Sequence, residues 1–378
     1  MSSWAILTGE YPPQAGGVSD YTRLVAEALA EAGDEVHVWC PPSPGAQVPP
    51  GGPVRVHRLP DHFGPRSLAR LDRALRGRGR RLTPLVQYVP QAFGWKGMNL
   101  PFCAWVASRL RGRAWVMFHE VAFPLRPGQP LAHTMLGVVT RMMARLMTDA
   151  ARRIYLSIPA WEGHLRSLAP VRAPVTWLPV PSNLPHRPAP RYGDDLRHRL
   201  GGRVVVGHFG TFGASITPLL SAALPPLLAR DARRVGLLVG RGGEAYAEEL
   251  ARLHPTLRGR LIAPGALPAD EVVAHLAACD VLLQPYPDGV SGRRTSLMAG
   301  LSLGLPTVTT EGPLSEPLWR QSGAVALTPV RAAERLVRAT DELLADPQAR
   351  ARLGARGAAL YEQHFALPRT VHLLRSAR

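Results

Sequence analysis

Short apolar runs separated by helix-period stretches recur along this chain, stop at a proline-rich segment, and then begin again. No other feature constrains the fold as tightly. Residues 4–8 (WAILT) read as a buried strand, after which Leu24, Val25, Ala28, Leu29 and Ala32 recur at helical spacing with Ser19 or Asp20 as the cap. Gly33 ends that helix and Glu35–Trp39 resumes as a strand, completing one βαβ unit. Runs at Val54–Leu59, Leu85–Val89, Ala114–Phe118, Ile154–Ser157 and Val175–Leu178 continue the pattern. Strands alternating with helices predict a parallel sheet covered on both faces.

The stretch Val180–Asp195 (VPSNLPHRPAPRYGDD) reads as a linker. Beyond it the alternation restarts, with strands at Val204–His208, Val235–Val239, Arg260–Ala263, Val281–Gln284 and Pro306–Thr309. Helices fall between them at Pro218–Leu228, Glu244–Leu253, Pro268–Ala278 and Leu297–Leu303. The fold class is therefore α/β: two Rossmann-like, doubly wound domains, residues 1–183 and 203–360, joined by a linker at 184–202 and facing a central cleft. Ligands of such sheets bind beyond the carboxyl ends of the strands. The loops that follow the strands are where chemistry is expected.

A length of 378 residues fits two domains of ordinary size. The net charge is +17, and Lys96 is the only lysine, so the positive charge is almost all arginine. A biased genome composition explains much of that excess. What remains suits nucleotide phosphates or anionic headgroups, because a guanidinium presents a rigid fork to phosphate and carboxylate oxygens. Nucleic acid is not the expected partner: the basic residues are dispersed and aromatics make up only 6%.

Cys40, Cys103 and Cys279 lie far apart without metal-ligand spacing, which suits a reducing cytoplasm. No basic stretch followed by an apolar core opens the chain, and no apolar run is long enough to span a bilayer. Cytoplasmic localisation is the expectation. In Met135–Met147 apolar residues recur at helical spacing, which a core-facing helix explains. Arg141 and Arg145 flank the stripe, so peripheral contact with an anionic membrane surface is the alternative.

Several loops could meet an anion. Gly16 and Gly17 follow the first strand and precede a helix, whose N-terminal amides and dipole favour negative charge. A plain strand-to-helix turn would use the same glycines. His119 and Glu120 stand where the Ala114–Phe118 strand ends. The second half opens with GHFGTFG, in which Gly207, Gly210 and Gly213 let backbone amides such as those of Gly210 and Thr211 cradle a phosphate. The dinucleotide fingerprint is absent, so a nicotinamide cofactor is not expected. Leu282–Thr310 is the richest stretch: Asp288 and Gly289 lie in a loop, and a helix starting near Ser291 to Arg293 displays Arg293, Arg294, Thr295 and Ser296. Two guanidiniums, two hydroxyls and helix amides make an anion site; a capped helix with solvated arginines is the alternative.

Taken together, TGEYPPQAGGVSDYTRLVAEAL, VMFHE, WLPVPSNLP, LLVGRGGEAYAEEL and ACDVLLQPYPDG…LGLPTV resemble a family 4 (group 1) glycosyltransferase of the GT-B fold. The resemblance runs over nearly the whole chain, and residues 361–378 resemble the helix that crosses back to the N-terminal domain. It implies transfer of a sugar from a nucleotide-diphosphate donor with retention and without a metal or other cofactor. The acceptor would sit on the N-terminal domain and the nucleotide on the C-terminal one. Gly16 and Gly17 would lie beside the donor diphosphate, and His119 near the reacting carbon.

The family's paired glutamates are not kept. Aligned from the front of the motif, Asp288 stands at the first and Ser296 at the second; aligned from Leu303–Pro306, Ser291 and Ala299 stand there. The front alignment preserves an acidic-glycine loop and is preferred. The family's Arg and Lys after the first strand of the second domain are also missing, so Arg293 and Arg294 are expected to supply the diphosphate charge instead. A catalytically silent binding or scaffold protein, or a nucleotide-sugar epimerase, remain the competing readings.

Overall fold

The computed structural model describes residues 2–43, 52–77, 82–185 and 196–377. Much of the expected linker, residues 186–195, lies outside them. The chain divides into two compact units, Met1–Val180 with Leu367–Arg378, and Pro181–Ala366.

The first unit holds strands β1 (Ser3–Thr8), β2 (Glu35–Cys40), β3 (Val54–Arg58), β4 (Leu82–Tyr88), β5 (Ala114–Phe118), β6 (Ala151–Leu156) and β7 (Val175–Trp177). Its helices are α1 (Gly17–Glu31), α2 (Pro65–Gly77), α3 (Leu100–Arg109), α4 (Leu131–Ala150) and α5 (Ala160–Leu168). The strands form one parallel sheet in the order β3-β2-β1-β4-β5-β6-β7.

The second unit holds β8 (Val204–Phe209), α6 (Thr217–Ala229), β9 (Arg234–Val239), α7 (Gly243–Leu253), β10 (Leu261–Gly265), α8 (Ala269–Ala277), β11 (Val281–Gln284), α9 (Thr295–Ser302), β12 (Thr307–Glu311), α10 (Pro317–Ser322), β13 (Ala326–Pro329), α11 (Ala333–Ala345) and α12 (Pro347–His364). Its parallel sheet runs β10-β9-β8-β11-β12-β13. In both sheets the strand order reverses once, between β1 and β4 and between β8 and β11. Doubly wound sheets bind ligands beyond the strand ends at such a reversal.

Period-two alternation puts neighbouring residues of one strand on opposite faces. Trp4 and Ile6 of β1 join Tyr21, Val25 and Leu29 of α1 in one core, whereas Ala5 and Leu7 join Phe102, Val106 and Met143 in the other. Each such fully buried large side chain contributes roughly 1.5–3 kcal/mol. The second unit repeats the division: Val206 and Leu283 pack with Leu220 and Leu224, while Val205 and Leu282 pack with Val272 and Ala299.

The terminal helix α13 (Leu367–Ser376) belongs to the first unit, where Val371 and Leu374 enter the core beneath α1. Its Arg375 Nε lies 3.2 Å from a carboxylate oxygen of Asp34. The indole N–H of Trp4 donates to the same fully covered carboxylate at 3.1 Å, and the Ser2 N–H at 2.9 Å. A buried carboxylate is tolerated when its oxygens are filled in this way.

Two helix starts differ from the sequence expectation. Neither Ser19 nor Asp20 caps α1: Gly16 is the N-cap, and the buried Ser19 hydroxyl donates back to the Gln14 carbonyl at 2.6 Å. Helix α9 begins at Thr295, so Arg293 and Arg294 precede it as the turn and N-cap.

Candidate functional site

At the reversal point of the first sheet, the loops after β1 and β4 touch. A Cβ on Gly9 would collide with the backbone of Ala92, so this approach requires glycine. Gly16 meets only the movable end of a side chain. Its φ of 177° is ordinary extended backbone, but a Cβ would run into the carboxylate of Glu10. Gly17, at the first turn of α1, faces open space.

Glu10 went unnoticed in the sequence although it stands two residues beyond β1. Its carboxylate accepts the Ser19 backbone N–H, so an anion of the chain itself already sits at the N-terminus of α1. Burial pushes its carboxyl above the ordinary 4.5; the Ser19 N–H opposes this, and Glu120 and Asp20 add to it. A carboxyl raised on folding contributes stability that is full below the unfolded value and is lost as pH rises through the folded value. Glu10→Gln stays neutral throughout. The variant is therefore expected to match wild type in acid and to gain over it as pH rises, read as chemical denaturation midpoints from pH 4 to pH 8. A constant gap would contradict this.

His119, directly after β5, is buried and held by its backbone N–H on the Tyr88 carbonyl at 3.0 Å. Its carbonyl accepts from the Ser157 hydroxyl at 3.1 Å and the Trp161 indole at 3.0 Å. The imidazole Nε2 lies 2.8 Å from Gln87 Oε1, and the ring meets Tyr21 of α1 edge-on at 4.9 Å between centroids. Burial pushes the imidazole down to about 3, so His119 is neutral at physiological pH and serves by hydrogen bonding, not by charge. Gln87, fully buried at the end of β4, keeps an amide nitrogen without a partner.

In the second unit, the strands at the reversal point are pinned side by side. His208 Nδ1 lies 2.9 Å from the Leu283 carbonyl, and the Gln284 side-chain amide donates to the Phe209 carbonyl at 3.1 Å. The loops after β8 and β9 also touch: Gly240 has φ +126°, and a Cβ there would collide with the Gly210 carbonyl oxygen. The Gly210 N–H donates to the Val239 carbonyl at 3.1 Å. That amide continues the ladder and does not point to a phosphate, which corrects the expectation for Gly210. Thr211 beside it is exposed.

Asp288, Arg293 and Arg294 come together in the loop after β11. Nη2 of Arg293 donates to Asp288 Oδ2 at 3.1 Å, and Nη2 of Arg294 to the same oxygen at 3.0 Å. Both arginines are largely covered, with side-chain exposures of 18% and 24%. The Arg294 guanidinium also lies over the Tyr286 ring, 4.7 Å from its centroid. The arginines are therefore not the solvated side chains of a capped helix. The Tyr286 hydroxyl, pushed up to about 12 by burial, lies 2.9 Å from the Ser296 hydroxyl, so Ser296 serves this packing. Thr295 opens α9 and is half-buried.

The loop is fixed from the far side by residues that sequence reading missed. Tyr286 N–H donates to the Thr310 hydroxyl at 2.7 Å, Leu314 N–H to the Asp288 carbonyl at 2.9 Å, and Gly292 N–H to Glu316 Oε1 at 2.8 Å. Glu316 is buried and also accepts from the Trp319 indole at 2.6 Å. Burial raises its carboxyl, while those hydrogen bonds and the Arg293 charge pull it back. Two guanidiniums share Asp288 at the N-terminus of α9. A diphosphate can take over the position of the Asp288 carboxylate without leaving either guanidinium unpaired. Among the described residues, no group of three or more His, Cys, Asp or Glu side chains could hold a metal ion.

Comparison with known proteins extends this geometry. Residues 16–181 match the glycosyl transferase 4-like domain, and residues 203–346 match glycosyl transferases group 1. Among solved structures, the chain is similar to a sucrose-phosphate synthase from Thermosynechococcus elongatus, with TM-score 0.71, 18% identity and coverage of 100% of this chain and 98% of that one. It is similar to Anabaena HepE in complex with UDP at TM-score 0.69 and 15% identity, covering 99% of each chain. The lipopolysaccharide glycosyltransferase WaaG matches at TM-score 0.68 and 15% identity, with 98% of each chain covered. No curated protein matches the sequence.

Proposed function

Because the chain belongs to the group 1, GT4-like glycosyltransferases of the GT-B fold, we propose that its second unit holds a nucleoside diphosphate sugar by the diphosphate. The first unit then takes the acceptor, and the sugar is transferred with retention and without a metal. The arginine pair on a single carboxylate, beside the strand-order reversal, carries this reading. Relatives of this fold include one solved with UDP and with UDP-glucose, which supports such a donor here.

Negative charge grows on the leaving diphosphate as the glycosidic bond to the anomeric carbon breaks. Arg293 and Arg294 meet that charge with preorganised donors, and the first amides of α9 add theirs. Asp288 keeps the guanidiniums in place between turnovers and yields its position to the diphosphate. Within the first unit, the amides at Gly17 form another N-terminal dipole, already met by the Glu10 carboxylate. In the same unit, neutral His119 offers a hydrogen bond to a sugar hydroxyl. The departing phosphate receives the acceptor proton, so no side chain is assigned as general base.

A panel of UDP, ADP and GDP sugars, screened by thermal shift with a chelator present, tests this reading. Stabilisation by one nucleotide class is expected, followed by sugar release whose first product, seen by proton NMR, keeps the donor's anomeric configuration. No stabilisation by any member would favour a silent scaffold. Interconversion of donor epimers would indicate an epimerase, and inverted product would overturn retention.

A further inference from the structure

Among the described residues, seven large hydrophobic side chains are exposed: Trp95, Leu125, Leu131, Met135, Val138, Met142 and Leu253. Four of them lie together on α4. Leu131, Met135, Val138 and Met142 follow one another along α4 in steps of four, three and four, which draws a single stripe along the helix. Leu125 packs on this helix at Gly137, where any Cβ would collide with its side chain. Helix α4 already has its own buried face, through Gly137, Thr140, Met143, Ala144 and Met147, so the core does not account for the outer stripe.

The charge along this segment has one sign. Arg126, before the helix, and Arg145, on it, are exposed, and the sequence holds no Asp or Glu between Glu120 and Asp149. A second copy of the chain, seated stripe to stripe, would set two segments against each other that carry cations and no carboxylate. An anionic bilayer meets both requirements: acyl chains for the stripe and headgroup phosphates for its rim. No helix among the described residues is long and apolar enough to cross a membrane. We propose that the outer face of α4, with Leu131, Met135, Val138 and Met142, is a peripheral docking surface for anionic lipid bilayers. Its apolar side chains enter the headgroup boundary and its cations lie on the phosphates.

Vesicles of phosphatidylcholine alone, and of phosphatidylcholine with phosphatidylglycerol, test this by sedimentation with the full chain. Binding to the anionic vesicles, weakened by salt, is expected. Leu131→Ser/Met135→Ser/Met142→Ser should bind at least about tenfold more weakly, since exposed apolar area is what the bilayer covers. Arg126→Glu/Arg145→Glu leaves the stripe intact and should abolish the preference for anionic over neutral vesicles, so it decides the matter if the serine variant does not fold. Equal binding by wild type and both variants would overturn the proposal. So would a solution dimer that the serine substitutions convert to monomer. The readout does not involve sugar transfer, so its failure would leave that reading untouched.

Discussion

Glutamate at both Arg293 and Arg294 is expected to weaken binding of UDP, or of whichever nucleoside diphosphate stabilises the chain, by at least about a hundredfold. Two charge-assisted hydrogen bonds at roughly 1.5–3 kcal/mol each correspond to a factor on the order of 10² to 10⁴. Reversal also places two carboxylates beside Asp288, which now accepts from both guanidiniums. The double alanine variant separates loss of attraction from added repulsion and should lie near the lower end of that range. The double lysine variant keeps the charge but loses the planar fork and should fall between alanine and wild type. Calorimetric titration measures all three. Wild-type affinity in the glutamate pair would remove the arginines from the donor site.

Gly289→Ala should cost about 2–4 kcal/mol and abolish nucleotide binding. The residue has φ +88°, and its N–H donates to the Tyr286 carbonyl at 3.0 Å. An alanine there pays for a left-handed backbone, on the order of 1 kcal/mol. Its Cβ would also collide with the Gly312 amide nitrogen and the Ser315 hydroxyl, which are not the tips of long flexible side chains. Forcing that contact adds roughly 1–3 kcal/mol. The displaced segment is the one carrying Asp288, so the ion-pair cluster moves with it. Gly213→Ala is the control: its Cβ meets nothing within 4 Å, and its stability should stay within about 0.5 kcal/mol of wild type. Unfolding in denaturant measures both, and a wild-type midpoint for the Gly289 variant would contradict the packing described.

The strands were legible because burial writes itself into sequence. β5 spans the expected Ala114–Phe118, and β11 the expected Val281–Gln284. Less legible were the places where a group's partner lies far along the chain. Glu316 reaches Gly292 across 24 positions, and nothing in either local stretch announces the contact. The Gly210 amide looked available because its acceptor, the Val239 carbonyl, belongs to the next strand. Gly16 suggested a close ligand, whereas the nearest group is the Glu10 carboxylate. Helical spacing in Met135–Met147 predicts one core-facing set, yet its residues divide between two faces: Met143 and Met147 are buried, Met135 and Met142 exposed. Helical periodicity gives a direction, but not how much of the circumference a neighbour covers. The arginine pair was visible as residue types; that Asp288 would bind both depended on the turn between them.

A structure of the chain with UDP bound tests the central claim most directly. The account predicts diphosphate oxygens within hydrogen-bond distance of the Arg293 and Arg294 guanidiniums, with the Asp288 carboxylate displaced from both. UDP bound elsewhere, with Asp288 still bridging the two arginines, would contradict it.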